Sequence, residues 1–304
     1  MIIQEFHQLH AEIATLDNLL KQLPEVNVIE RMGLEMRKKG MEDLLASQPA
    51  PPREPTRVLL TFRGKPIVGS HGILAEFGAK AINAFADAVT AIGASQTLPL
   101  GTRGAIPNRE EFKLLITGTA LGSFGFELEE APKDPRLFPE MSLVEPAIRQ
   151  TMRIMKASLG SDEELTDTIA DADPRAVQAL RTFLKTMVDQ EAVCTLDLKG
   201  EIFSFADVDQ VSRSEGRLSQ ENIHEEEKTL SGHFLGVLPN HRTFEFLVEE
   251  NGEVIFGKIS NNIEEASQIN DIIKKPVTIT VHTKRAGKSR PNYALLDYKT
   301  NIER

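Results

Sequence analysis

Seven apolar residues near the start of the chain constrain its fold more than any motif does. Ile2, Phe6, Leu9, Ile13, Leu16, Leu20 and Leu23 recur at spacings of 4, 3, 4, 3, 4 and 3. An α-helix brings such positions to one side, and a strict seven-residue repeat makes a seam suited to a second helix. Pro24 interrupts the run, because it lacks an amide N–H and its ring clashes with the preceding turn. A second helical stretch follows to about Leu45, with Ile29, Met32, Met36, Met41 and Leu44 less regularly placed. Residues 1–46 therefore read as a helical hairpin. Its seam can pack on its own second helix or on the body. It can also serve self-association or partner docking, with Phe6, Leu9, Ile13, Leu16 and Leu20 as the interface. Three heptads are marginal for a free-standing coiled coil, so the seam needs a partner of some kind.

Residues 47–56 hold four prolines and no periodicity, which predicts an extended, semi-rigid linker. The main body starts after it. "RVLLTFRGKPIVGSHG" (57–72) predicts two short strands turning at Arg63-Gly64, with Val58, Leu60 and Phe62 on one face. The following helix carries Leu74, Phe77, Phe85, Val89 and Ile92 on one side, and Gly93 suits its C-terminal end.

A second strand pair is expected at 112–117 and 123–128. The intervening stretch contains Gly118, Gly122 and Gly125, a spacing that hints at a phosphate loop. A phosphate-binding glycine cluster must open a helix, whose N-terminus holds the anion. Here the glycines open a strand that alternates Phe124, Phe126 and Leu128 against Gly125, Glu127 and Glu129. The reading is a turn plus a small residue on the outward face, and no cofactor is expected.

Capping boxes at Ser142–Glu145 and Ser161–Glu164, and Asp173-Pro174 as N-cap and first helical residue, predict helices near 142–159, 162–170 and 174–189. "AVCTLDLKGEIFSF" (192–205) predicts a hairpin turning at Lys199-Gly200, with a polar helix to about 216. It echoes "TFRGKPIV" weakly, as a repeated ββα unit. The polar run 212–232 reads as a boundary. Beyond it, strands are expected at 232–238, 243–250 and 253–260, then a short helix near 263–273 and two more strands, PVTITVHT and NYALLDY. The Asn251-Gly252 pair is a hairpin signal. Three strands, a short helix and two strands suit a small closed barrel of SH3-like or OB-like type. The fold class is thus α+β, divided as hairpin 1–46, linker 47–56, α+β body 57–228 and small β-barrel 229–304.

The 304 residues carry a formal charge of −10, which opposes nucleic acid or an acidic membrane unless a local basic patch exists. Cys194 is the only cysteine, so intramolecular disulfides and cysteine-rich zinc sites are excluded. No run approaches the length of a membrane span, and the N-terminus lacks the pattern of a secretory signal, so the expected compartment is the cytoplasm. None of the seven histidines has metal-ligand spacing, and no metal is expected.

Chemistry has few candidate seats. Lys284, Arg285, Lys288 and Arg290 lie in a stretch with six Lys or Arg and no acid, and a strand-connecting loop would project them together toward nucleic-acid phosphates. Stacking residues are sparse, with two tyrosines and no tryptophan, so meeting an acidic partner surface is the alternative. His71, with Ser70 and Arg63 nearby and the 101–109 loop contributing Arg103 and Arg109, is the place for an active site if one exists. A turn histidine beside an N-cap serine explains it as well. Cys194 alternates with apolar neighbours as a buried thiol, and Glu127, Glu129 and Glu130 as a solvated strand face.

The leading expectation is a non-catalytic binding or scaffold subunit, a homo-oligomer or one with a protein partner, docking through the N-terminal helices. The general impression is of a cytoplasmic bacterial multi-protein system directed against phage, and no motif carries that impression. A nucleic-acid binder using 284–290 and an enzyme centred on His71 are the alternatives.

Overall fold

The computed structural model describes residues 3–23, 27–47, 54–101, 103–120, 124–131 and 142–300. The side chains of 3–11, 22, 28–29 and 45–47 lie outside that description, as does Gly122. The chain forms two compact units, Met1–Pro55 with Pro132–Ser142, and Thr56–Ala131 with Leu143–Arg304.

The first unit contains α1 (Ile3–Gln22) and α2 (Val28–Ser47), which contact each other. Lys38 reaches Asp17 across the pair at 2.6 Å, and Arg37 approaches Glu12 at 3.9 Å.

The second unit is mixed α+β. It begins with β1 (Arg57–Gly64), the short pair β2 (Ile67–Val68) and β3 (Gly72–Ile73), and α3 (Ala75–Thr97). A 3-10 turn, Arg109–Phe112, precedes β4 (Leu114–Ala120) and β5 (Phe124–Glu130). Then come α4 (Val144–Ala157), α5 (Asp162–Ile169), α6 (Pro174–Asp189), β6 (Ala192–Leu198), β7 (Glu201–Ser204) and α7 (Val208–Arg217). Five strands form an antiparallel sheet in the order β4-β5-β1-β6-β7. Alternation decides its faces. Val58, Leu60, Phe62, Leu128 and Leu196 are fully buried in one core with residues of α3, α4 and α6. Glu127 and Glu129 alternate with the core residues of β5, and Arg57 approaches them at 3.8 and 3.1 Å.

The expected hairpin at Arg63-Gly64 does not form. Beyond Gly64 the chain leaves the sheet, β1 takes β5 and β6 as partners, and β2 pairs only with β3. The supposed ββα repeat therefore fails, because only its second copy, β6–β7, is a true hairpin. Lys199 and Gly200 both take positive φ, 54° and 86°, at its turn. Gly93 does not end α3, which continues to Thr97. It is instead a contact point, since a Cβ there would lie 2.2 Å from the Phe112 ring and 3.0 Å from Ala147 Cβ.

The Ser161–Glu164 box forms with both reciprocal bonds at 3.1 Å, and Asp173 caps α6 ahead of Pro174. At α4 the cap position falls on Leu143 without a side-chain cap, and Glu145 turns instead to Arg149 and Lys199, at 2.9 and 2.6 Å.

The polar run 212–232 is ordered structure. It supplies the end of α7 and the first ten residues of β8 (Ile223–Leu238), a strand of 16 residues. β9 (Thr243–Val248), β10 (Val254–Ile259), β11 (Val277–Ala286) and β12 (Asn292–Thr300) follow, with a 3-10 segment Ala266–Ile272 between β10 and β11. Pairing runs β10-β12-β11-β8-β9 and returns to β10, a closed ring in which only β10–β12 is parallel. Phe234, Phe246, Ile279, Val281 and Leu295 are fully buried in its own core. The turn beyond β11 is tied to the body. Thr166 of α5 accepts from the Ala286 amide at 2.8 Å and contacts the Ser289 hydroxyl at 2.6 Å.

Candidate functional sites

On the two-helix unit, Leu16 is buried, whereas Ile13 and Leu20 are half-buried. Phe6 and Leu9, the other interface candidates, lie outside the described side chains. The exposed apolar residues fall elsewhere. Met32, Met36 and Leu44 of α2 are 56%, 70% and 47% exposed. Their spacings of 4 and 8 keep them on one side of the helix. Gly40 falls in the same row, and a Cβ there would meet nothing within 4 Å. Leu19 of α1 is also exposed. The methionines were visible in the sequence, but their irregular pattern concealed that they form the outer row.

The basic segment is only partly a loop. β11 continues to Ala286, and alternation puts Lys284 on the ring's outer face with His282 and Ala286, where the body covers it. Lys284 is 4% exposed, its Nζ donates to the Ala172 carbonyl at 2.6 Å, and it pairs with Glu225 at 2.8 Å. It therefore does not project with its neighbours. Strand pairing places Glu225 directly opposite it, and a buried ammonium requires such a counter-charge. Arg285, Lys288 and Arg290 are exposed. Gly287, at φ 56°, packs so closely on Asp162 that a Cβ would sit 2.3 Å from its Oδ2. Asp162 accepts from the Lys288 amide at 3.2 Å and from Arg217 at 2.8 Å, and these two donors, the amide first, hold its carboxyl below the ordinary range.

His71 is exposed on the turn between β2 and β3. Arg63 donates to the Phe205 carbonyl at 3.2 Å. The 101–109 loop is clamped from α6, where Arg175 donates to the Gly101 carbonyl at 3.2 Å and to that of Gly104. Arg109 is paired with Asp87 at 2.7 Å, so its charge is already matched. Cys194 is fully buried, and burial pushes its thiol up to about 12, which keeps it neutral. Among the described residues, no group of three or more His, Cys, Asp or Glu could hold a metal ion. No helix among them is long and apolar enough to cross a membrane.

One feature of the fold escaped the sequence reading. A cleft of about 280 Å³ lies between the end of α5 and the outer face of β10, β12 and β11. Its lining includes Asp167 and Asp171 on one side and Lys258, His282, Lys284 and Ala294 on the other. These residues are spread over more than a hundred positions of sequence, so no local pattern announces them.

No protein-family model, curated protein or solved structure matches this chain.

Proposed function

We propose that the chain is a non-catalytic binding or scaffold subunit that docks through its N-terminal two-helix unit. The carrying observation is the row Met32, Met36 and Leu44, left exposed while α1 and α2 already contact each other and are bridged by ion pairs. Contiguous exposed apolar surface marks interaction sites, and methionine adapts its shape to a partner. Gly40 lets another backbone approach the same row closely. The C-terminal ring, read as a small SH3-like or OB-like barrel, suits a binding subunit, although such folds serve many functions.

The occupant proposed for the row is a second copy of the unit. Light scattering on the full chain should give a mass above the monomer, and Met36→Glu should return it to the monomer. A monomeric parent, or an unchanged number of subunits after deletion of residues 1–46, rejects self-association through this unit. A nucleic-acid reading now rests on Arg285, Lys288 and Arg290 alone. With Lys284 paired internally, fewer phosphates can be neutralised, and each contributes a salt-dependence slope of about −0.7 to −0.9.

A further inference from the structure

We propose that the cleft between α5 and the strand ring binds a small zwitterion of the α-amino-acid type. This goes beyond the docking reading and does not depend on it.

Strand register builds the floor. Lys258 pairs with Ala294, and Ala294 pairs with His282, so these three stand side by side across β10, β12 and β11. Asn292 and Lys284 form the next pair along. Ala294 contributes only a methyl group between two long side chains, and the depression lies there. The opposite wall is the end of α5 and the residues after it, with Asp167, Ala170 and Asp171. One wall is thus rich in donors and positive charge, the other in carboxylates.

Hydrogen-bonding capacity decides the ligand. An ammonium has three N–H groups, and the Ala172 carbonyl and Glu225 account for two of those on Lys284. His282 adds its imidazole ring, whose Nε2 lies 3.7 Å from Glu225. Asp167 accepts from the Asn292 amide at 3.2 Å, and Asp171 accepts from Lys258, yet each carboxylate has further lone pairs. A simple anion would face two aspartates and a simple cation two lysines. Both repulsions are stronger in a partly enclosed site than in open water. A molecule holding carboxylate and ammonium one carbon apart meets both walls at once. The cleft volume lies just below the range of about 300–1,000 Å³ typical of drug-sized ligands, which restricts the occupant to a small molecule.

The test is calorimetric titration of the full chain with each common α-amino acid. Beside each run the matching acid lacking the amine and the matching amine lacking the carboxylate. One amino acid, or a narrow group, should bind saturably and raise the melting temperature. Its single-charge analogues should bind about tenfold or more weakly, each having lost a charge-assisted hydrogen bond. Ala294→Leu should fill the floor from the outer face and abolish binding. Asp167→Asn, on the exposed rim, should weaken binding by a similar factor while the ligand-free protein melts normally. The proposal is overturned if no amino acid binds at millimolar concentration, or if an analogue with one charge binds equally well. Undiminished binding by Asp167→Asn overturns it too, and that variant decides the matter alone if Ala294→Leu fails to fold.

Discussion

Gly125 offers the sharpest test of the sheet. It sits within β5 opposite Thr61 of β1, and β1 is held on its other side by β6. A Cβ added there would lie 2.3 Å from the Leu60 carbonyl oxygen and 2.4 Å from Thr61 Cα. Ordinary contact begins near 3.4 Å, so β1 and β5 would have to separate by about 1 Å. The obstructing atoms are backbone of a central strand, with no flexible side chain to swing aside. Two terms oppose each other in Gly125→Ala. Lost backbone freedom in the unfolded chain favours alanine by about 0.5–1 kcal/mol. Overpacking costs about 1–3 kcal/mol, and the upper part of that range applies where backbone must move. The net loss is about 1–2 kcal/mol, and for a unit of this size each kcal/mol shifts the melting temperature by about 2–4 °C. Gly125→Ala should therefore melt roughly 2–8 °C below the parent, and Gly125→Val lower still. Gly236 in β8 is the control, since a Cβ there meets nothing within 4 Å and alanine should be neutral or stabilising. Scanning calorimetry of the three variants decides the point. If Gly125→Ala melts at or above the parent while Gly236→Ala behaves normally, β1 does not press on this position. The glycine would then need another explanation, a ligand contact included.

Two further outcomes follow from the paired charges. Glu225→Gln should destabilise by about 2–4 kcal/mol in urea titration, because it strands the buried Lys284 ammonium; Glu225's partial exposure trims the usual cost. Adding Lys284→Met to that variant should recover most of the loss, and no recovery would show that the charge was not the cause. The depressed carboxyl of Asp162 contributes stability above the ordinary carboxylate pKa of about 4, and that contribution is lost as pH falls through its lower folded value. Asp162→Asn should thus melt below the parent at neutral pH, and the gap should close in acid; a gap independent of pH would reject the assignment.

Much of the fold was legible where the signal is local. The Ser161–Glu164 box and Asp173-Pro174 fix helix starts within a few residues of sequence, and the alternation Phe124, Phe126, Leu128 identifies a strand face by itself. What failed depended on partners far away in the chain. Nothing in "TFRGKPIV" says that β1 will pair with residues near 125 and 195 rather than fold back on Pro66 and Ile67. Gly93 looked like a helix end because glycine so often ends helices. Its true constraint is the ring of Phe112, brought over it by a loop that the sequence leaves undefined. The cleft was invisible for the same reason, since Lys258, His282 and Asp167 meet only through tertiary structure.

The clearest case joins two misread segments. "HEEEK" looked like part of a solvated boundary, and "HTKRAGKSR" like a patch awaiting a partner. They are partners of each other. Register sets Glu225 against Lys284, Glu226 against Thr283 and Glu227 against His282, so the acidic half of β8 meets the basic end of β11. Glu225 is compensated across the pair by Lys284, while Glu226 pairs with Lys228 of its own strand at 2.6 Å. Gly232 marks the changeover, pairing with both Val277 and Val248 as β8 passes from β11 to β9. A Cβ there would lie 1.9 Å from the Leu247 carbonyl, so the passage requires glycine. Because β8 and β11 run past the ring in this way, Ile223 and Ala286 join the body's apolar core. The same extension carries Lys284 to the Ala172 carbonyl beyond α5. The cleft thus follows from the charge pairing itself. The strand that carries the counter-charge of Glu225 also supplies one wall of the site, and α5 supplies the other.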